Sequence, residues 1–430
     1  MNKRQVNKQF LDILSETVDS VGPMVYAFLS VSVGFFKSLS EFHQNLILKL
    51  SSSKSTSLEA ILAMTPDHDK KMDELEAKFI NRFKVIQKVN GDMGQVEYKL
   101  EKRFGDCIKL FIGRGLNTIF HVNQKTISKC IKKSATFEDK LKSHAFARWN
   151  NMHKFMLKKT SNVTSVDDLT MNVVGALEDS NLIMTRDRNN AMCFDFLLDN
   201  IKSQVSTFLY AYCKHLFKIK YKYLRGDKSN KEAVSEGNIL SLIFHLTLLF
   251  PMMSYSVKNN TDAIKELQLT TDIINDIMTD LDAVGLLRLK KGDDGNIEFF
   301  ATTPLIHNIF NSNVMLERGF KNDIIVETDF KIYAYSTNLG YMEALLNLFT
   351  EIKFKMPTFL VCSLEEEKIR EAFSSGIEPG QILRYLNTNT HKEVMKTKMH
   401  LMTEDEIQAI DKTYAFIPEN IVQQMFIWNV

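Results

Sequence analysis

The clearest alternation of apolar and polar positions lies in residues 323–335. Residues 323–327 and 331–335 are short runs of β-branched and aromatic residues, and Thr328-Asp329-Phe330 separates them. Two such runs around a short polar segment predict a β-hairpin. With a period of two, the two tyrosines of the second run lie on one face of the hairpin, and its isoleucine and alanine lie on the other.

Helical and strand-like patterns alternate after this hairpin. Apolar residues at helical spacing predict a helix over residues 338–354, capped by Asn338 and ended by Pro357. The apolar run at residues 358–362 predicts a third strand. The order up to this point is therefore strand, strand, helix, strand.

Two further helices complete this unit. Ser363 with Glu366 three residues later is a capping box, and Gly376 is a suitable residue at which the first helix ends. The second helix is predicted to bury three aliphatic residues: Ile382, Leu383 and Leu386. The resulting β-β-α-β-α-α unit has no paired catalytic carboxylates, no nucleophile beside a base and no metal-ligand spacing. We therefore interpret it as a docking module.

The N-terminal part of the chain follows a helical period. Residues 7–134 are predicted to be almost entirely helical, with a break at Gly22-Pro23. Residues 72–89, charged on one side and apolar on the other, are predicted to form a surface helix.

Two later segments follow the element order of a winged helix. In the first, helices over 137–157 and 166–178, the second capped by Ser165, precede strands over 182–185 and 192–194. The second has helices over 239–250, 261–266 and 272–284 before strands over 286–290 and 297–301. The helix at the recognition position is predicted to face solvent with polar and acidic residues: Asp272, Asn275, Asp276, Asp280 and Asp282. Such a face repels DNA phosphates, so we interpret this module as binding protein or as a spacer.

A basic, aromatic helix is predicted between the two winged-helix patterns, over residues 201–224. Its lysines interleave with tyrosines and phenylalanines, which is one signature of a nucleic-acid-binding face. The alternative is a helix whose aromatic residues are core and whose lysines are solvated. We favour the alternative, because the net charge of the chain is only +2.

Composition narrows the class of protein. At 430 residues, with 44% hydrophobic and 25% charged residues, the chain is long enough for about three domains. Five scattered cysteines without a Cys-x-x-Cys motif favour buried thiols in a reducing compartment over disulfides or zinc. The longest apolar run, 12 residues containing His245, is too short for a membrane span, so no membrane partner is expected. No cofactor and no metal ion are expected.

Residues in the predicted docking module also resemble those of a known family. The matching stretches are Ile325-Val-Glu-Thr, Ile332-Tyr-Ala-Tyr335, Leu348-Phe349, and Phe373-Ser-Ser-Gly-Ile377 with Gln381-Ile382 and Leu386. They resemble the fifty-two-kilodalton core subunit of general transcription factor IIH, called transcription factor B subunit two in yeast. The resemblance is specific over residues 324–386 and extends over about 137–397.

The resemblance implies a fold, a partner and a role. In that family the domain is called the clutch, and it holds the DNA translocase of the complex, the xeroderma pigmentosum group B helicase. The implied role is a non-catalytic nuclear scaffold that contacts other core subunits and stimulates the translocase ATPase in transcription initiation and nucleotide excision repair. We assign partner binding to eight residues: Ile325, Glu327, Tyr333, Tyr335, Phe373, Ile377, Ile382 and Leu386.

The predicted fold class is mainly α with α+β modules. Its domains are a helical domain (1–135), a winged-helix-like domain with the basic helix (136–234), a second winged-helix-like domain (235–320), a clutch-like domain (321–398) and a tail (399–430). The family's last domain, which docks the smallest core subunit, has no counterpart after Trp428. We therefore do not expect that subunit as a partner.

Two other functions remain as alternatives. A winged-helix DNA-binding regulator would need a basic recognition helix, which the acidic residues between Asp272 and Asp282 oppose. An enzyme has no support from motifs, because the chain lacks a phosphate loop, a zinc-protease motif and a nucleophile elbow.

Overall fold

A computed structural model describes residues 9–429 with several gaps. The residues outside this description are 1–8, 54, 58–60, 62–72, 74, 91–94, 116–119, 123, 158–168, 184–189, 227–235, 252, 257–266, 268, 293–296, 308, 310–322, 337–338, 401–413 and 430. The predicted caps Ser165 and Asn338 and the predicted helix at 261–266 lie outside it. Within the described residues the chain is mainly helical, with small antiparallel sheets.

The N-terminal region contains a sheet, so the prediction of an almost wholly helical region is wrong. Its helices are α1 (Phe10–Val21), α2 (Leu29–Lys37), α3 (Glu41–Ser52) and α4 (Lys102–Arg114). A 3-10 turn at Gly22–Ala27 and a π-helical segment at Leu75–Arg82 lie between them. Strands β1 (Thr56–Ser57), β2 (Ile86–Asn90) and β3 (Val96–Leu100) pair in the order β1-β3-β2.

The error at residues 72–89 has a local cause. Leu75 and Phe79 are buried at helical spacing, as predicted, but the helical segment ends at Arg82. Lys84 then adopts a left-handed conformation with φ 54°, which interrupts the helical path. The residues that follow pair in register with β3 instead.

The middle of the chain is a group of packed helices. These are α5 (Gln124–Leu157), α6 (Met171–Asp179), α7 (Ala191–Leu198) and α8 (Ile201–Gly226). The predicted return strand at residues 192–194 is wrong, because Cys193, Phe194 and Leu197 recur at helical spacing and are buried within α7. This segment therefore does not have the predicted winged-helix order.

The second predicted winged-helix segment has the predicted hairpin and helices at two of the three predicted positions, within a larger sheet; the third, residues 261–266, lies outside the described residues. Its helices are α9 (Glu236–Leu248), α10 (Thr271–Ala283) and α11 (Pro304–His307). The sheet has the order β4-β5-β7-β6, with β4 (His121–Val122), β5 (Ser254–Ser256), β6 (Leu287–Lys291) and β7 (Ile297–Thr302). Thr270 caps α10, since its hydroxyl accepts a hydrogen bond from the backbone N–H of Ile273 at 3.4 Å. Strands β4 and β5 were not predicted.

The acidic face of α10 is smaller than predicted. Asp280 is only 3% exposed. Its carboxylate accepts hydrogen bonds from the Tyr212 hydroxyl of α8 at 2.6 Å and from the Asn172 amide of α6 at 2.9 Å. Asp272 and Asp276 remain exposed. Asp280 therefore joins three helices rather than facing solvent.

The described residues from 323 to 429 form a unit that we call the C-terminal module. Its strands are β8 (Asp323–Val326), β9 (Lys331–Tyr335), β10 (Glu351–Met356) and β11 (Phe359–Ser363), in the sheet order β10-β11-β9-β8. Its helices are α12 (Leu339–Leu346), α13 (Glu366–Ser374), α14 (Pro379–Thr388), α15 (Lys392–Met399) and α16 (Glu419–Ile427). The hairpin of β8 and β9, the strand β11 and the two following helices confirm the sequence prediction.

Two local predictions within this module are wrong. The helix expected over 338–354 ends at Leu346, where the Thr350 hydroxyl donates to the Leu346 carbonyl at 2.8 Å, and Glu351–Met356 is a strand. Ser363 does not cap α13, because Glu365 occupies the cap position and the Ser363 hydroxyl donates to the Glu365 carboxylate at 2.9 Å.

Helix α16 packs on the module rather than trailing from it. Ile421 and Met425 are buried, and the helix contacts α14. The Trp428 ring lies 5.6 Å from the ring of Phe330, which occupies the turn of the β8–β9 hairpin with φ 67°. The tail thus covers the one hairpin-turn residue that adopts a left-handed conformation.

No single helix among the described residues is long and apolar enough to cross a membrane; Phe10–Ala27 and Leu29–Lys37, bent by 109°, meet those criteria only as a pair.

Three buried histidines lead us to predict acid sensitivity. Burial lowers the pKa of His153 to about 3, and of His245 and His307 to about 4. In the unfolded chain each binds a proton below about pH 6.5, whereas in the folded chain each stays neutral. The histidines therefore do not reduce the free energy of unfolding above about pH 6.5. Below that pH, each histidine raises the equilibrium constant for unfolding by about tenfold per pH unit. Urea unfolding at about pH 7.5 and about pH 5.5 measures this, and equal free energies would contradict it.

Candidate partner-docking surface

The register of the C-terminal sheet fixes which side chains share its outer face. Across the four strands, Ile325 pairs with Tyr333, Tyr333 with Val361, and Val361 with Phe354. In the next row, Asp323 pairs with Tyr335, Tyr335 with Phe359, and Phe359 with Met356. Paired residues point to the same side of a sheet. We call the side that carries these two rows the outer face.

The opposite side of the sheet is core. Its side chains lie beneath the helices and are buried: Ile324, Ile332, Ala334, Leu360 and Cys362. They belong to the same cluster of buried residues as Leu345 of α12 and Leu386 of α14. The helices therefore cover the inner face.

The outer face is apolar, aromatic and open to solvent. Tyr335 is 44% exposed, Phe354 66% and Met356 54%. The Phe359 ring lies 6.0 Å from that of Tyr333, nearly parallel to it, and 4.7 Å from that of Tyr335. These contacts hold three aromatic rings in place on the surface, so little side-chain freedom remains to be lost on binding.

A carboxylate lies at one end of this face. The Glu327 carboxylate lies close enough to the Tyr333 hydroxyl to influence its pKa. Partial desolvation first, and then the charge of Glu327, raise the pKa of the Tyr333 hydroxyl. Glu327 itself is exposed at the hairpin turn. A partner that meets this end of the face therefore meets a negative charge.

The second group of predicted site residues belongs to the core. Ile377 is nearly buried, Ile382 and Leu386 are fully buried, and Phe373 is half-buried. These residues pack α13 and α14 within the module. They support the sheet from below, whereas Ile325, Glu327, Tyr333 and Tyr335 lie on or beside the outer face.

Sequence reasoning missed half of the outer face. Phe354 was assigned to the end of a helix, and Met356, Phe359 and Val361 were not singled out. A signal was present, since Glu351–Met356 alternates charged and apolar residues with a period of two and ends at Pro357. That alternation is typical of a strand that is followed by a turn.

The outer edge of the sheet at β10 carries features that discourage strand addition. The pairing of β10 with β11 has an irregularity at Lys353, between Ile352 and Phe354. Lys353 forms ion pairs with Glu351 at 2.6 Å and Glu365 at 2.5 Å. Bulges and lysines are common devices that protect sheet edges. The face, rather than the edge, is thus the more accessible surface for a partner.

The basic helix α8 has the structure that we favoured from its sequence, as far as it is described. Tyr212 and Phe217 are buried. Lys214 pairs with Glu16 at 2.5 Å, and Lys218 pairs with Asp179 at 2.7 Å. These aromatic residues are core, and these lysines are neutralised by acids of neighbouring helices.

A cavity of about 590 Å³ beside α8 contains a histidine–aspartate pair. His215 Nδ1 lies 2.7 Å from an oxygen of Asp179, whose pKa is lowered chiefly by the hydrogen bond from Lys218. The other ring nitrogen, Nε2, packs against Gly175, where an added Cβ would lie 2.5 Å from it. That nitrogen faces helix α6, so we interpret the pair as structural. The described residues contain no cluster of side chains suited to a metal ion.

These features define a mainly helical protein with small antiparallel sheets, one of which leaves an aromatic face uncovered by the rest of the described chain. The sequence profile of the family described as "Transcription factor Tfb2" matches residues 10–392. The chain belongs to this family.

Individual relatives agree with the profile. The chain is 28% identical over 159 residues to the general transcription and DNA repair factor IIH subunit TFB2 of Arabidopsis thaliana. It is 23% identical over 344 residues to general transcription factor IIH subunit 4 of Dictyostelium discoideum, and 27% identical over 273 residues to subunit TFB2 of Saccharomyces cerevisiae. The matches cover 37, 77 and 55% of this chain. They cover 31, 62 and 50% of the relatives, so the chain spans less than two thirds of each.

Lys214 and Lys218 of α8, each paired with an acid of a neighbouring helix, predict weak binding to DNA. The full chain should bind a mixed-sequence duplex no tighter than about 1 μM at physiological salt, since affinity of that kind comes from lysines and arginines that are free to meet phosphates. Fluorescence anisotropy with a labelled duplex at several salt concentrations measures this. Tighter binding with a steep salt dependence would contradict it.

Proposed function

We propose that this chain is a non-catalytic subunit of a transcription factor IIH core complex, active in transcription by RNA polymerase II and in DNA repair. The family match and the names of the relatives support this assignment. On this proposal the chain works in the nucleus and contacts other subunits of the complex.

We further propose that the C-terminal module anchors the DNA translocase of the complex. The observation that carries this proposal is the outer face, where Tyr333, Tyr335 and Phe354 form part of an uncovered apolar surface. Exposed apolar patches of this kind mark protein-binding sites. Tyrosines are enriched among interface residues that contribute most to affinity, because the ring is apolar and the hydroxyl tolerates contact with water.

The charges beside the face add a preference for the partner. Glu327 is exposed next to Tyr333, so a basic residue of the translocase is the complementary group. The neighbouring Lys331 is already paired with Asp329 at 2.5 Å. Glu327 therefore contributes the net charge at this end of the surface.

The role of the anchor follows from the position of the face. A translocase bound to this face is held within the complex at one point of contact, which favours productive contact with DNA. We propose that this is how the chain stimulates the ATPase. A DNA-binding regulator is less well supported, because exposed Asp272 and Asp276 on α10 would repel phosphates.

We expect substitutions on the outer face to weaken capture of the translocase. Phe354→Ala and Tyr335→Ala should each lower affinity by roughly thirtyfold, about 2 kcal/mol, if these side chains fill pockets of the partner. The measurement is co-purification of the translocase with the variant chain, together with its ATPase rate. Glu327→Lys should weaken the pairing through charge reversal.

A matched control distinguishes this surface from exposed aromatics in general. Phe250 follows α9 and is 66% exposed, the same fraction as Phe354. Phe250→Ala should leave translocase binding unchanged. Thermal melts must show that every variant is folded. Wild-type affinity in the three outer-face variants, with all of them folded, would remove the docking assignment.

A further inference from the structure

The C-terminal module meets the rest of the chain through two helix pairs. Helix α12 packs on α5, and α14 packs on α7. Across the second pair, the Gln381 amide donates a hydrogen bond to the Asp195 carboxylate. We call this contact between α5 and α7 on one side and α12 and α14 on the other the joint.

A buried histidine lies inside the joint. His153 of α5 is buried among rings, with centroid distances of 5.6 Å to Trp149, 5.8 Å to Phe196 and 5.0 Å to Tyr341 of α12. Neither ring nitrogen has a hydrogen-bond partner among the described residues. The side-chain amide nitrogen of Asn150, one turn earlier on α5, is also buried without such a partner.

Another buried histidine shows how such a side chain is normally accommodated. In His307, Nδ1 lies 3.2 Å from the Thr247 carbonyl and Nε2 lies 2.8 Å from the Thr302 hydroxyl. Buried polar groups in folded proteins are nearly always bonded in this way, because an unbonded one loses its hydration without replacement. The joint is therefore less stable when closed than it would be with an apolar residue at position 153.

We propose that the joint is a hinge, and that the unpaired imidazole of His153 keeps its closed state marginal. When α12 and α14 separate from α5 and α7, water reaches both ring nitrogens and the Asn150 amide. This hydration offsets part of the free energy lost with the ring contacts. The module therefore separates from α5 and α7 as a folded unit, at a lower free-energy cost than unfolding. The inference concerns the free chain and does not depend on any partner.

Cysteines in the chain report on opening of this hinge. Cys193 of α7 is buried, and it lies near enough to Tyr341 of α12 to influence the pKa of its hydroxyl. Cys213 of α8 and Cys362 of β11 are also buried. Cys213 lies in the part of the chain that precedes the C-terminal module, and Cys362 lies in the sheet of that module. Opening of the joint should therefore expose Cys193 while the other two thiols stay buried.

Thiol labelling of the native full-length chain, read out residue by residue by mass spectrometry, tests the proposal. We expect Cys193 to react faster than Cys213 and Cys362. His153→Leu, which is close in volume, should slow labelling of Cys193 by roughly tenfold and leave the other two rates unchanged. His153→Phe is a second variant with an aromatic ring. His307→Leu is the matched control. It should accelerate labelling of all three cysteines, because it removes two hydrogen bonds that lie outside the joint.

Three results would overturn the hinge. Equal rates for the three thiols in the wild-type chain would mean that Cys193 is reached only by global unfolding. Equal slowing of all three by the His153 variants would mean that the imidazole affects global stability alone. Faster labelling of Cys193 in both variants would mean that the ring nitrogens are bonded in the closed joint.

Discussion

The constraint on which the C-terminal module depends is that helices cover one face of its sheet and leave the other bare. Ile332 and Ala334 fill the inner face with Leu360 and Cys362, all of them buried. Because neighbouring residues in a strand point to opposite sides, burial of these four fixes Tyr333, Tyr335, Phe359 and Val361 on the outside. The aromatic surface is thus a necessary consequence of how the core is built.

Outside this module, a buried network of polar side chains joins three helices. Asp280, Tyr212 and Asn172 connect α10, α8 and α6 in a buried network. The joint to the module is built differently, with aromatic rings around an imidazole that has no described partner. In the hinge that we propose, the joint lets the outer face change direction without changing its own shape.

The sequence predicted the local structure correctly where the apolar residues follow a single period. It misled where a helical period and a strand period both fit. The runs around Tyr333 and the capped helix α10 have a single clear period, and both were predicted correctly. Residues 350–356 fit a helical stripe and a strand alternation equally well, and the pairing partner Phe359–Ser363 decides in favour of the strand. Asp280 was placed in solvent because its partners, Tyr212 and Asn172, lie far away in sequence. Contacts of that kind carry no local signal.

The central claim is that the translocase covers the outer face. Hydroxyl-radical footprinting of the chain alone and in complex measures this directly, because aromatic and methionine side chains react readily when exposed. Tyr335, Phe354 and Met356 should become protected in the complex, whereas Met171 of α6, 79% exposed in the body, should react as before. Unchanged reactivity at these three residues, with protection elsewhere on the chain, would contradict the account.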